Sequence, residues 1–144
     1  MSPPILFFNE DIHFHFKSIR KTKAWLMRVV HLEHQSLGEL NYIFCSDNFL
    51  AEVNLRFLQH KSLTDIITFN TSEDPKLIAG EIYISIERVR ENAGKFNVSF
   101  VKELHRVMVH GVLHLLGYSD KTPYQKKIMR KKEDAYLSLR GFKE

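Results

Sequence analysis

In the run His110-Gly-Val-Leu-His114-Leu-Leu-Gly-Tyr-Ser-Asp120, two imidazoles and a carboxylate are spaced so that one metal ion could gather all three. Residues four apart on a helix sit about 40° round its axis, so both rings leave the same face one turn apart. Gly117 can close that helix in the left-handed conformation, and the chain beyond it can turn back to bring Asp120 to the same point. Three protein ligands leave a tetrahedral ion such as Zn²⁺ a fourth position for water, the arrangement of catalytic rather than structural zinc. Another divalent transition metal would accept the same donors. The competing reading is a buried, hydrogen-bonded histidine pair. Against it stand the apolar wall of Val107, Leu113 and Leu116, the placed glycines, and a third ligand type six residues after the second histidine.

What the motif lacks narrows the chemistry. Metalloproteases of the H-E-x-x-H type carry their general base directly after the first histidine, and position 111 here is glycine. Peptide hydrolysis is therefore disfavoured, and any base must come from elsewhere or from water acidified by the metal. Glu103, Val107, His110 and His114 follow one helical stripe, so Glu103 is a candidate to accept the spare ring N–H of a ligating histidine. The alternative for Glu103 is an exposed helix-start acid favoured by the dipole. His105 points away from that stripe. Directly after Asp120 come Lys121, Lys126, Lys127, Arg130, Lys131 and Lys132, a run that is either a solvated helix face or a set of phosphate contacts beside the metal. A second basic group, Lys17 to Arg28, is read as serving solubility.

The elements that must hold these groups alternate along the chain. Strands are expected at 5–8, 40–45, 66–69 and 81–85, from their β-branched and aromatic content. Helices are expected at about 18–36, with Trp25, Val29 and Leu32 inward, and from a Ser46-Asp47 cap through Phe57. Three more are expected at 86–96, 100–116 and 122–139, the last with Met129, Ala135, Tyr136 and Leu139 inward. Gly38 punctuates the first helix, and residues 70–79, polar and containing Pro75, read as a loop. The result is an α+β fold, a mixed four-stranded sheet packed with about five helices, in one domain over residues 1–144.

Composition sets limits on function. With 144 residues, 44% of them hydrophobic, the chain suits a single core. Its longest apolar runs fall well short of the ~20 residues of a membrane span, and the start lacks a basic-then-apolar leader, so the expected setting is the cytoplasm with no membrane partner. The lone cysteine, Cys45, excludes an internal disulfide and reads as a buried thiol. A net charge of +4 suits a polyanionic partner.

The run from His110 to Asp120 resembles the H-G-x-L-H-L-x-G-Y-D-H signature of the YbeY family of bacterial endoribonucleases. It matches at His110, Gly111, Leu113, His114, Leu115, Gly117 and Tyr118, and departs at Ser119 and Asp120, where the family has Asp and His. Upstream, Asn54, then Thr64 to Phe69, then Gly80 to Ser85 resemble the family's N-x-x-[YF]-R, T-D-V-L-S-F and G-D-I-x-I-S blocks in the same order. The resemblance implies an α+β fold and an enzyme of ribosomal RNA maturation, with ribosomal RNA and the small ribosomal subunit or its proteins as partners. It implies Zn²⁺ as cofactor, with Asp120 in place of the family's third histidine. An anionic ligand lowers the charge at the metal, so bound water is expected to be less acidic than in a three-histidine site. The family arginine held to act on RNA aligns with Leu58, and Arg56, His60 and Lys61 are the nearby candidates to replace it. Thr64 and Asp65 open a block that the family shares and are read as catalytic residues lining the cleft, with a turn or cap role as the alternative.

The expected chemistry is metal-assisted hydrolysis of an RNA phosphodiester, with His60, Lys61, Lys121, Lys126, Lys127 and Arg130 countering phosphate charge. Two other readings stay open: a ribosome-assembly RNA-binding factor whose metal is mainly structural, and a metal hydrolase of a non-RNA substrate.

Overall fold

The computed structural model describes residues 5–58 and 64–141. Four strands, β1 (Ile5–Asn9), β2 (Ser36–Cys45), β3 (Ile66–Asn70) and β4 (Leu77–Ser85), form one mixed sheet in the order β1-β2-β4-β3. The β1/β2 and β2/β4 pairs are parallel and β3 runs antiparallel to β4. Five helices accompany them: α1 (Ile19–Leu32), α2 (Asp47–Val53), α3 (Ile86–Phe96), α4 (Phe100–Leu115) and α5 (Pro123–Ser138). The expected α+β class and element count agree with this architecture.

Local sequence sets most of the helix starts. Ser46, Ser85 and Ser99 each accept a hydrogen bond from the backbone N–H three residues on, and Thr122 with Gln125 forms a reciprocal capping box. The boundaries between α1 and β2 and before β4 differ from expectation. Helix α1 ends at Leu32, because His34 takes φ 61° and turns the chain so that Ser36 pairs with Leu77. Gly38 therefore lies inside β2, at a register shift between Leu37 and Leu40, rather than closing a helix. The pairing also starts β4 at Leu77, within the expected loop. After Val53 the helix continues as a π-helical turn, Asn54–Leu58.

One face of the sheet and α1, α3, α4 and α5 enclose the main core, while α2 caps a smaller cluster of Cys45, Leu50, Val53 and Ile67. Helix α4 is buried on most of its circumference, as suits a helix lying between the sheet and other helices. Its closeness to the sheet depends on Gly111, where a Cβ would fall 2.9 Å from Ile82 Cδ1 and 3.0 Å from Ile66 Cδ1. Two buried aromatic side chains donate their polar ends to helix carbonyls, Tyr42 Oη to Met108 at 2.9 Å and Trp25 Nε1 to Tyr136 at 2.8 Å. Two inward assignments change. Leu32 is exposed, and the inner stripe of α5 is Met129, Glu133, Tyr136 and Leu137, with Ala135 outside and Leu139 partly buried against the core.

Candidate metal centre

Helix α4 carries His110 and His114 on adjacent turns, their ring centroids 4.5 Å apart. The helix then stops in two hydrogen bonds, Gly117 N–H to His114 O and Tyr118 N–H to Leu113 O, both 3.0 Å. That double closure needs a left-handed residue, and Gly117 supplies it at φ 106°. Beyond it, Tyr118 Oη donates to Glu33 Oε1 at 2.6 Å, and Thr122 opens α5 with its capping box. The short segment carrying Asp120 is thus tied at both ends. Lys132 and Tyr136 of α5 also donate to Glu33 Oε2, so this one carboxylate joins the end of α1 to the ligand loop and α5. Burial favours the neutral acid at Glu33, but the hydrogen bonds from Tyr118, Tyr136 and Lys132 and the Lys132 charge prevail and hold its pKa below the usual glutamate value.

Asp120 bridges the two imidazoles, with Oδ2 at 3.4 Å from His110 Nε2 and Oδ1 at 3.6 Å from His114 Nε2. One ligating atom from each residue lies within 4.8 Å of the other two. Donors about 2.1 Å from a tetrahedral zinc stand roughly 3.4 Å from one another, so this set fits a divalent ion. His110 Nδ1 is occupied separately, 2.6 Å from Glu133 Oε2. A carboxylate there fixes the N–H on Nδ1 and turns the Nε2 lone pair toward Asp120 and the metal position.

Glu133 is buried and does not stand alone. Arg106 Nη1 lies 3.1 Å from its Oε1, and the same guanidinium reaches Asp134 at 2.9 Å. Arg130 approaches Glu133 Oε1 at 3.6 Å. Burial opposes charge on His110, but the hydrogen bond and charge of Glu133, with Asp120 and Asp65, raise its pKa above the ordinary value. His114 is lowered, by burial and by the neighbouring His110.

The cleft around these groups has a volume of about 460 Å³ and includes Thr64, Asp65, Asn92, Phe96 and Arg130 on its walls. Partly buried Asp65 has a raised pKa, chiefly from desolvation. Thr64 Oγ1 turns locally to donate to the Ile66 carbonyl at 3.2 Å, the turn role weighed for it. Glu103 also lines the cleft, but the carboxylate on the histidine ring is that of Glu133, while Glu103 sits 3.9 Å from Arg106. His105 is buried away from the metal ligands against Trp25. Arg56, on the π-helical turn, is exposed and not among the residues lining the cleft. Lys121, Lys126 and Lys127 are exposed around the start of α5, outside the cleft wall. His60 and Lys61 lie outside the described residues. Glu133 and Glu33 are the groups that sequence reasoning missed. Glu133 had a signal, since it follows the Met129, Tyr136, Leu137 stripe at helical spacing. Glu33 had none, because its partners are 85 to 103 residues away.

Residues 7–141 match the family model described as endoribonuclease YbeY. The chain belongs to this family. It is 52% identical over 133 residues to an endoribonuclease YbeY of Amoebophilus asiaticus, covering 92% of this chain and 90% of that one. It is 49% identical over 138 residues to that of Cytophaga hutchinsonii, covering 96% of each. The solution structure of TM1509 from Thermotoga maritima superposes with a TM-score of 0.65 at 32% identity, covering 94% of this chain and 87% of the other. The expected membership in the YbeY family is thereby established. Among the described residues, no helix is long and apolar enough to cross a membrane.

Proposed function

We propose that this YbeY-family chain is a zinc-dependent endoribonuclease that cuts single-stranded RNA in ribosomal RNA maturation, in the cytoplasm and at the small ribosomal subunit. The observation carrying this reading is the convergence of His110, His114 and Asp120 in a cleft whose wall includes Arg130. The endoribonuclease names of the relatives support RNA as the substrate.

His110, His114 and Asp120 would hold the ion. When bound, it supplies Lewis acidity, withdrawing charge from a phosphoryl oxygen and making water a stronger acid. The remaining work falls to the protein. Glu133 keeps His110 in the tautomer that offers Nε2. Arg130 at the cleft wall would offset the negative charge that grows on the phosphodiester, and Lys126, one turn before it on α5 and outside the wall, would attract the flanking RNA backbone. Asp65 lines the cleft and its burial favours the protonated carboxyl, which supports a role in which it would hold or give up a proton there. Phosphate contacts made by Lys61, Lys121 and Lys127 add affinity that falls with salt.

The test is cleavage of a single-stranded ribosomal RNA fragment by the purified protein. Cleavage that stops with chelator and returns with about one equivalent of Zn²⁺ supports the reading. Intact RNA in the presence of stoichiometric metal, with hydrolysis of a non-nucleic ester instead, contradicts it.

A further inference from the structure

Helix α4 walls two clefts, and only one of them holds the metal ligands. Glu103, Arg106, Val107, His110 and His114 line the metal cleft, while Phe100, Val101, Leu104 and His105 line a second of about 570 Å³. At 100° per residue these sets occupy different sides of the helix, and the two clefts have no lining residue in common. The size of the second falls in the range of small-molecule sites, ~300–1,000 Å³.

The chemistry of the second cleft is specific. Its wall is aromatic: Phe14 meets Phe100 edge-on at 5.8 Å and lies 6.3 Å from Phe16. The Arg90 guanidinium stands 5.0 Å from the Phe100 ring centre. The rim adds His13, His15 and Lys17, all exposed, on the segment entering α1. No aspartate or glutamate occurs among the described residues lining it. His105, 2% exposed, completes the lining, and its Nδ1 faces Arg140 Nη1 at 2.9 Å. Arginine can only donate, so Nδ1 accepts and the ring is neutral with its proton on Nε2. The cleft thus combines an uncharged, aromatic interior with cations at its mouth. A flat ring gains stacking from the former and an attached anion gains charge compensation from the latter.

We propose that this second cleft is a nucleotide-binding site, in which a base rests against Phe14 and Phe100 while its phosphate meets Arg90 and Lys17, with His13 and His15 beside them. A free mononucleotide and a nucleotide unit of an RNA strand present the same chemistry. The site is independent of the metal cleft and of whether the chain cuts RNA.

Trp25, the single tryptophan, packs 5.5 Å from the His105 ring and so reports on the cleft from behind. The test titrates the full-length, metal-loaded protein with adenosine monophosphate, with a 2′-O-methylated hexanucleotide that resists cleavage, and with inorganic phosphate. Trp25 fluorescence and backbone amide shifts are followed. Saturable shifts at 13–18, 90 and 100–105 with the mononucleotide identify a free nucleotide as ligand. The same shifts with the hexanucleotide alone identify an RNA strand, and both results support the site. The exposed double variant His15→Glu, Lys17→Glu should weaken binding about tenfold while leaving metal content unchanged. Phe100→Leu should weaken nucleotide binding by a similar factor without changing the response to phosphate. The proposal is overturned if neither nucleotide ligand saturates these shifts at millimolar concentration, or if phosphate alone binds as tightly as the mononucleotide. It is equally overturned if both variants, folded by circular dichroism, bind like the parent. Because none of the ligands is cleaved, loss of RNase activity would leave this result intact.

Discussion

The two sides of α4 handle charge in opposite ways. On the metal side charges are paired in series, from His110 through the buried Glu133 and the partly buried Arg106 out to Asp134 at the surface. On the aromatic side the lysine and arginine stay at the mouth, and the buried histidine is neutral. A buried unpaired charge is costly, so each paired member of the metal side fixes the position of the next. Ligand geometry needs that rigidity. An exposed rim leaves side chains mobile and hydrated, which suits reversible capture of an anion better than holding an ion at ~2 Å.

Removing a donor should be the most damaging: His110→Ala is expected to lose bound metal and to lower RNA cleavage on the order of 10³-fold, read by metal analysis and single-turnover assays. Binding at the aromatic cleft should be unaffected by it. Next, Glu133→Gln keeps the shape but weakens the hold on His110 Nδ1, so zinc affinity should fall about 10- to 100-fold in a competition titration with a chromophoric chelator. An unchanged affinity would show that the buried chain of charges serves the fold and not the metal.

Gly111→Ala acts on both sides at once, because it lifts α4 from Ile82 and Ile66. A loss of about 1–3 kcal/mol in urea unfolding is expected, with weaker metal binding alongside it. Stability that is lost without any change in metal affinity would separate the helix seat from the site. The smallest effect concerns Glu33. Its folded pKa is depressed below the ordinary value near 4.5, so the stability it contributes is fully present above that value and is lost as pH falls through the lowered one. Unfolding midpoints of Glu33→Gln should therefore change less than those of the parent between about pH 5 and 3.

Much of this was legible in the residues. The histidine spacing, Gly117 and Asp120 carry the metal site within eleven positions, since helix periodicity and a left-handed stop are local properties. Element order was equally readable, because serine and threonine caps and β-branched runs announce themselves. The start of β4 was not, since pairing with Ser36 decides where that strand begins. Helical spacing from His110 points to Glu103 and is silent on Glu133 for a related reason. Spacing along one helix identifies Glu103 as a neighbour, whereas the packing of α5 on α4 decides which carboxylate reaches the ring. Glu33 belongs to the same class of tertiary fact, a side chain after α1 that anchors a loop 85 residues further on.

The most direct test of the metal centre is X-ray absorption at the zinc edge on protein loaded with one equivalent of Zn²⁺. Two imidazole ligands with the remaining near positions filled by oxygen are expected, falling to one imidazole in His114→Ala. Three imidazoles, a sulfur from Cys45, or a spectrum unchanged by His114→Ala would contradict a centre built from His110, His114 and Asp120.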